Sequence, residues 1–364
     1  MKVEWKKLGD VCDFKRGKTI TAKDAIDGDI PVIAGGQAPS YYHNEANRIG
    51  ESITIAGSGA YAGYISYWNQ PIFVSDAFTV EPKEFLKHKY LFYWLKRNQE
   101  RIFAAQKGAG VPHVHGKDLA NFLIPLPTLA EQARIVGILD TFSASIENLK
   151  EQIAQRRKQY EHYRDKLLDL EGKEGVEMKT IQNICKKICS GGTPATSQKE
   201  YYLGNIPWLR TQEVNWKDIY DTEVKITEEA IANSSAKLIP INCVIVAMYG
   251  ATAAKSAINK IELSTNQACC NLEIDGNKAF YKYVFHWLCK EYLNLKSLGE
   301  GSQNNINVKK IKEYPIPLPS LQEQSRIVSI LDTFEASIAN LEAQLKERQK
   351  QYEYYRNKLL TFEE

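Results

Sequence analysis

One stretch of the chain occurs twice, and that repetition limits the possible folds more than any other feature. Residues 124–142 read Ile-Pro-Leu-Pro-Thr-Leu-Ala-Glu-Gln-Ala-Arg-Ile-Val-Gly-Ile-Leu-Asp-Thr-Phe, and the stretch runs on to 170. Nearly the same text returns 192 positions later, over 316–362. Roughly two-thirds of the paired positions are identical, far above chance for segments of this length. The chain is therefore a tandem duplication that alternates globular block, long helix, globular block, long helix.

The repeated segment reads as helix from its first residue to its last, with Pro125 and Pro127 keeping its approach extended. Thr128-Leu129-Ala130-Glu131 has the form of a capping box, and Ser320-Leu321-Gln322-Glu323 is its copy. Apolar residues then alternate at spacings of four and three. In the first copy they are Ile135, Leu139, Phe142, Ile146, Leu149 and Ile153, then Tyr160, Tyr163, Leu167 and Leu170. The second copy keeps the phase from Ile327 to Phe362. That is a coiled-coil seam of about five heptads, and some 43 residues of helix span roughly 65 Å. One seam position is charged in both copies, Arg156 and Arg348. The charge either sets register, or a long aliphatic stem carries it out to water. Two equivalent helices bury both seams best about a pseudo-twofold axis. The expected fold is thus α+β: two α/β blocks separated by two long antiparallel coiled-coil helices, packed along the 135/139 and 327/331 seams.

The boundaries follow from the repeat: a first block at 1–123, helix at 124–170, a polar link at 171–177, a second block at 178–315 and helix at 316–364. The blocks share a framework. Gly204-Asn205-Ile206-Pro207-Trp208 parallels Gly28-Asp29-Ile30-Pro31-Val32, and Tyr283-Val284-Phe285-His286-Trp287-Leu288 parallels Tyr90-Leu91-Phe92-Tyr93-Trp94-Leu95. In the first block, strands are expected at 30–33, 52–56, 64–68 and 71–74, and a short helix at 90–98. Similar helices beside diverged blocks suggest one common task for the helices and two related tasks for the blocks.

Charge is unevenly divided. The chain is +3 overall, but 128–170 is neutral and 171–177 and 320–364 are each −2, leaving +3 on 1–127 and +4 on 178–319. Excess positive charge therefore sits on the blocks, where a polyanion is gripped. No run of eighteen apolar residues exists, and the amino terminus lacks a signal-peptide core, so a cytoplasmic protein is expected. The seven cysteines read as reduced thiols; Cys185-x-x-x-Cys189 has no second pair at metal-finger spacing, so no metal is expected.

Catalytic signatures are missing. There is no P-loop, no amino-methyltransferase Asn-Pro-Pro-Tyr or Asp-Pro-Pro-Tyr, no His-Glu-x-x-His and no Gly-x-Ser-x-Gly. Gly57-x-Gly59-x-x-Ala62 follows a strand and fits a loose dinucleotide fingerprint, but the residues after it read as another strand rather than a helix, so it is taken as a tight β turn. His113 and His115 occupy a Gly-rich loop with Lys117; polar loop contacts outweigh a general-base reading.

The helix opening, together with "SGGTP" at 190–194, "GNIPWL" at 204–209, "SSAK" at 234–237, "GATAAK" at 250–255 and "TNQACC" at 265–270, resembles the specificity subunits of type I restriction–modification systems across essentially the whole chain. The resemblance implies that each block is a target recognition domain and each helix a spacer. It implies a non-catalytic subunit that takes double-stranded DNA and two modification subunits as partners, and that two restriction subunits can join. Adenine methylation with S-adenosylmethionine, and ATP-driven translocation, then belong to the partners, and this chain holds no cofactor. A coiled-coil scaffold that binds only proteins is the alternative. Side chains suited to phosphates and base edges in the first block are Lys15, Arg16, Lys18, Ser58, Tyr61, His113, His115 and Lys117. In the second block they are Arg210, Thr211, Gln212, Tyr249, Thr252, Lys255, Gln303, Asn304 and Asn305. Gly250 is expected to let backbone approach a phosphate.

Overall fold

A computed structural model describes residues 3–108, 110–300 and 305–362. The chain divides into two compact units, Met1–Glu151 with Glu342–Glu364, and Gln152–Leu341. Gln303 and Asn304 lie outside the described residues.

The first unit is built on a four-stranded antiparallel sheet in the order Cys12–Arg16, Ala77–Pro82, Glu51–Ala56, Ile65–Asn69. β-branched and aromatic residues fill these strands, and Ile53, Ile55, Ile65, Phe78 and Val80 turn into the core. A smaller sheet of Tyr41–His43, Ile30–Ile33 and Phe73–Val74 lies beside it. The helix His88–Arg97 packs Tyr90, Leu91, Trp94 and Leu95 into the same core. The turn at 57–64 joins two antiparallel strands with no helix after it, as its residues suggested. Pro71 delays the last expected strand to Phe73–Val74.

The second unit repeats this plan. Cys185–Ser190, Cys269–Ile274, Val244–Ala247 and Ser256–Asn259 follow one another in the same order as their counterparts, and Asp218–Ile219 adds a parallel edge. Val224–Ile226, Ile206–Leu209, Leu263–Thr265 and Leu238–Ile239 form the smaller sheet. The helix Tyr281–Lys290 is the equivalent of His88–Arg97 and buries Tyr283, Val284, Phe285 and Leu288.

The long helices run from Leu129 to Leu167 and from Leu321 to Leu359. Three expectations about them need correction. Helix does not begin at 124 or 316. Leu123–Leu126 and Pro315–Leu318 are strands paired antiparallel with Glu4–Lys7 and Glu177–Thr180. A two-strand ladder tolerates proline because each strand is an edge. The capping box is half made. Thr128 Oγ1 accepts the Glu131 N–H at 3.3 Å, but the Glu131 carboxylate turns to Arg134 at 2.6 and 2.8 Å instead of back to the cap. Ser320, Glu323 and Arg326 do the same. Finally, Ile135/Leu139 and Ile327/Leu331 sit in two separate cores, together with residues of the opposite long helix such as Leu359 and Leu167 respectively. The first pair is fully buried in the core of the first unit and the second pair in that of the second.

The helix end is tied down in the first unit. Leu360 is fully buried in that core, and Arg97 donates to the Leu360 carbonyl and, at 2.7 Å, to Thr361 Oγ1. Phe142 stacks on Tyr355 there, centroids 5.2 Å apart, and lies beneath the Arg348 guanidinium at 5.6 Å. In the second unit Phe334 stacks on Tyr163 at 5.3 Å beneath Arg156 at 5.9 Å. The charged seam positions are half-buried, and each caps a phenylalanine by cation–π contact.

Candidate nucleic-acid interface

In each unit one end of the main sheet gathers the loops that sequence reasoning marked. In the first unit that end carries Arg16, Ala77, Ala56 and Ile65, as the ladder registers show. Gly59, with φ +83°, turns the chain after Ala56, a conformation that glycine adopts at no steric cost. Backbone bonds from Gly59 N–H to the Pro112 carbonyl (3.1 Å) and from Val114 N–H to the Gly57 carbonyl (3.0 Å) hold the 107–115 loop against this turn. Ser58, Tyr61, His113 and His115 therefore share one site. Ser58 donates to Asp76, Tyr61 is 46% exposed, and the two histidine rings stack 6.2 Å apart and nearly parallel.

Lys117 is exposed one turn beyond His115, and Asp118 caps the His115 N–H at 3.0 Å. The Lys107 ammonium, 2.5 Å from Asp118, holds that carboxyl below the usual aspartate range. Arg16 and Lys18 stand at the same sheet end, two strands or about 10 Å from the turn. Both are exposed, and among the described residues neither has an ion-pair partner. Lys15, one residue back, is paired with Glu81.

The matching sheet end of the second unit carries Ser190, Cys269, Ala247 and Ser256. Ile306 N–H bonds the Met248 carbonyl at 2.8 Å, just as Val114 bonds Gly57, and so places Asn305 beside Tyr249. Tyr249 is 40% exposed. Gly250 has φ +77°, which the turn requires, and among the described residues no atom from outside its own turn lies within 4 Å of where a Cβ would stand. Thr252 Oγ1 donates to the Thr211 carbonyl at 2.8 Å, which docks the 250–252 turn on 211–213 and brings Thr211, Gln212, Thr252 and Lys255 together.

Arg210 is committed elsewhere. Its guanidinium lies 2.5 Å from Glu223 and 3.7 Å from Glu213, so it braces the loop. Sequence reasoning missed Trp216. It takes φ +51°, rare for a bulky residue, and is 41% exposed. The Lys255 ammonium sits 4.2 Å above its ring and 2.7 Å from Asn215 Oδ1, and Tyr292 meets it edge-on. No pattern in the sequence announces this pairing, because the backbone strain appears only in three dimensions.

The buried cysteines are not poised as nucleophiles. Burial pushes the Cys12, Cys185, Cys243, Cys270 and Cys289 thiols up to about 12, so they stay protonated. Both sheet ends present basic, amide, hydroxyl and aromatic groups on loops held by a rigid sheet, an arrangement suited to reading a polymer surface. The family described as "Type I restriction modification DNA specificity domain" matches residues 2–156 and 173–350. The chain belongs to this family. The specificity subunit of the Escherichia coli type I restriction enzyme EcoR124I/EcoR124II is 31% identical over 100% of the chain and 95% of its own length. The S subunit of the Mycoplasma genitalium type I restriction-modification system shares the fold, with TM-score 0.69 at 19% identity, covering 100% of this chain and 97% of that one. A chain from a structure addressing type I R-M complex assembly and conformational transition gives TM-score 0.61 at 20% identity, covering 99% of each. Specificity subunits of this family are two-domain proteins that mix helices and sheets, as here. Among the described residues no helix is long and apolar enough to cross a membrane.

Proposed function

We propose that this chain is the non-catalytic DNA-recognition subunit of a type I restriction–modification complex, with residues 1–123 and 178–315 as target recognition domains that each read one half of a bipartite site. One observation carries the reading. The two units keep the same order of four main-sheet strands and one equivalent loop-to-turn backbone bond at one sheet end, yet place different side chains there: Ser58 and His113 in one, Tyr249 and Asn305 in the other. Shared scaffolding with different edge groups is what two half-sites of different sequence require. Residues 124–170 and 316–364 are the spacers, joined through the link 171–177. Pairing Phe142 with Tyr355 and Tyr163 with Phe334 supports antiparallel helices, since partner numbers fall along one helix as they rise along the other. Such a pair fixes the gap between half-sites under pseudo-twofold symmetry.

Two modification subunits supply the methyltransferase pocket and S-adenosylmethionine, with the target adenine flipped into it. Restriction subunits, two per complex, supply ATP chemistry, and the assembly works in the cytoplasm. The test is methylation sequencing of DNA from cells that express this chain with its modification partner. One adenine in each half of a gapped sequence is expected. Exchanging 178–315 for a relative's equivalent should change one half and leave the other. Changes in both halves, or methyl transfer by the purified chain alone, would overturn the reading. Duplex binding by the chain should weaken steeply with salt; no duplex binding at low salt would favour a protein-only scaffold.

A further inference from the structure

Each unit has a polar node where its short core helix meets a long helix, and the two nodes are built differently. In the first unit Tyr93 Oη donates to Asp140 Oδ1 at 2.6 Å and lies 3.3 Å from Ser143 Oγ, while the Lys89 ammonium meets Asp140 Oδ2 at 2.7 Å. Every side chain there has a partner. In the second unit Lys282 and Asp332 keep the same pair at 2.6 Å, but His286 replaces the tyrosine and Glu335 the serine.

That exchange leaves orphans. His286 is 1% exposed, and its Nε2 has no hydrogen-bond partner. Asp332 Oδ1, also buried and also without a partner, faces it at 3.7 Å, too far for a hydrogen bond. The other ring nitrogen is held: Tyr160 Oη lies 3.0 Å from His286 Nδ1 and 3.3 Å from Glu335 Oε1. One ligand atom from each of His286, Asp332 and Glu335 falls within 4.8 Å of the others. Two donors on one zinc-sized ion, at about 2.0–2.2 Å each, stand roughly 3.4 Å apart in a tetrahedron and wider in distorted sites. The gap that defeats a hydrogen bond therefore suits a bridging cation. Asp332 approaches it from the long helix and His286 from the core helix, with Glu335 three residues on along the same helical face and its Oε1 3.8 Å from the ring's Nδ1. Tyr160 on the free ring nitrogen fixes the imidazole, as an outer-shell partner does in metal sites.

We propose that His286, Asp332 and Glu335 bind one divalent transition-metal ion, which staples the helix Tyr281–Lys290 to the helix Leu321–Leu359. A single imidazole with two carboxylates selects Zn²⁺ and Mn²⁺ over soft-ligand metals. Water completes the shell, since both carboxylates are partly open to solvent. Lys282 does not compete, because it holds Oδ2 and leaves Oδ1.

The experiment uses the full chain stripped of metal with a chelator, then titrated with Zn²⁺ and separately with Mn²⁺ by calorimetry. One equivalent per chain is expected, with a higher thermal midpoint when loaded. His286→Tyr with Glu335→Ser copies the first unit's node and should fold but bind none. Tyr93→His with Ser143→Glu should create a second equivalent. Should a variant fail to fold, Co²⁺ loaded into the unaltered chain decides. A spectrum of nitrogen and oxygen ligation is expected, whereas intense thiolate charge-transfer bands would place the ion on cysteines and overturn the proposal. No binding by the unaltered chain would also overturn it.

Discussion

The glutamine of the repeated Glu-Gln-x-Arg motif offers the sharpest test of how each block is joined to its helix. Gln132 is fully buried. Its Oε1 accepts the Lys87 N–H at 2.9 Å, and its Nε2 donates to the Phe85 and Pro127 carbonyls, each at 3.0 Å. One side chain thus satisfies the amide at the start of the helix His88–Arg97 and two loop carbonyls. Gln324 does the same in the second unit, with the Phe280 N–H at 3.0 Å and the Pro319 carbonyl at 3.0 Å. Gln132→Met keeps length and volume and removes all three bonds. A typical buried bond contributes about 1 kcal/mol, and an orphaned buried group costs about 1–3 kcal/mol, so the loss should be about 3 kcal/mol. At about 1.4 kcal/mol per factor of ten, amide exchange in the helix His88–Arg97 should speed up about a hundredfold. Exchange in the equivalent helix Tyr281–Lys290 should hold steady. Hydrogen exchange read by mass spectrometry separates the two, which a single melting curve cannot do for a two-unit chain. A change under about threefold, or one shared equally by both helices, would refute the clamp.

Four further outcomes are expected. Leu360→Ala should cost about 2–5 kcal/mol, as for other buried leucines, because Leu360 fills the first unit's core; a thermal midpoint within error of the parent would show that the helix end contributes nothing there. The Lys107–Asp118 pair has its counterpart with signs exchanged in Glu300–Lys310, so Lys107→Glu should loosen the 107–115 loop and adding Asp118→Lys should restore it, read by amide exchange at His113. Asp118 is also depressed by Lys107, so its stabilisation is complete above the ordinary aspartate value near ~3.9 and is lost as pH falls through the lower folded value; Lys107→Ala should flatten that acid-side loss. Lys255→Ala should weaken duplex binding and lower the salt slope by about one, whereas Trp216→Ala should weaken binding with the slope nearly kept; an unchanged affinity in both would remove this corner from the interface.

Legibility tracked the range of the interactions. The long helices could be read because three-and-four spacing is local and written twice. The strand Leu123–Leu126 could not. Pro125 and Pro127 argue against a strand until the partner Glu4–Lys7, more than a hundred residues away, makes it an edge. The capping serine and threonine were legible, but the diversion of Glu131 to Arg134 is a competition between two local partners that the motif does not rank. The loops of the candidate interface carry glycines and basic residues that are legible locally. The pairing of Arg210 with Glu223, thirteen residues on, is made only by folding. Trp216 gave no signal at all, since its significance lies in a backbone angle and a lysine 39 positions later.

What the two units keep, and what they change, follows the length of one strand. In the first unit Ala77–Pro82 starts at the loop cluster and ends just before Phe85 and Lys87, which Gln132 clamps. In the second, Cys269–Ile274 starts at its loop cluster and ends just before Lys278 and Phe280, which Gln324 clamps. Six residues of strand separate the two ends by about 17 Å. At the clamp end both units keep the same side-chain contacts: the glutamine, the Lys–Asp pair, and the tyrosine hydroxyl on a proline carbonyl (Tyr90 to Pro125 at 3.0 Å, Tyr283 to Pro317 at 2.6 Å). The exposed loop side chains differ at the other end, Ser58 and His113 in one unit and Tyr249 and Asn305 in the other. Sites this far apart with no shared partner contribute to stability nearly additively. Loops at the open end can therefore change without disturbing the join to the helix. On the proposed function, a recognition surface that must vary while its spacer stays fixed needs that separation, and one strand length of sheet supplies it in each unit.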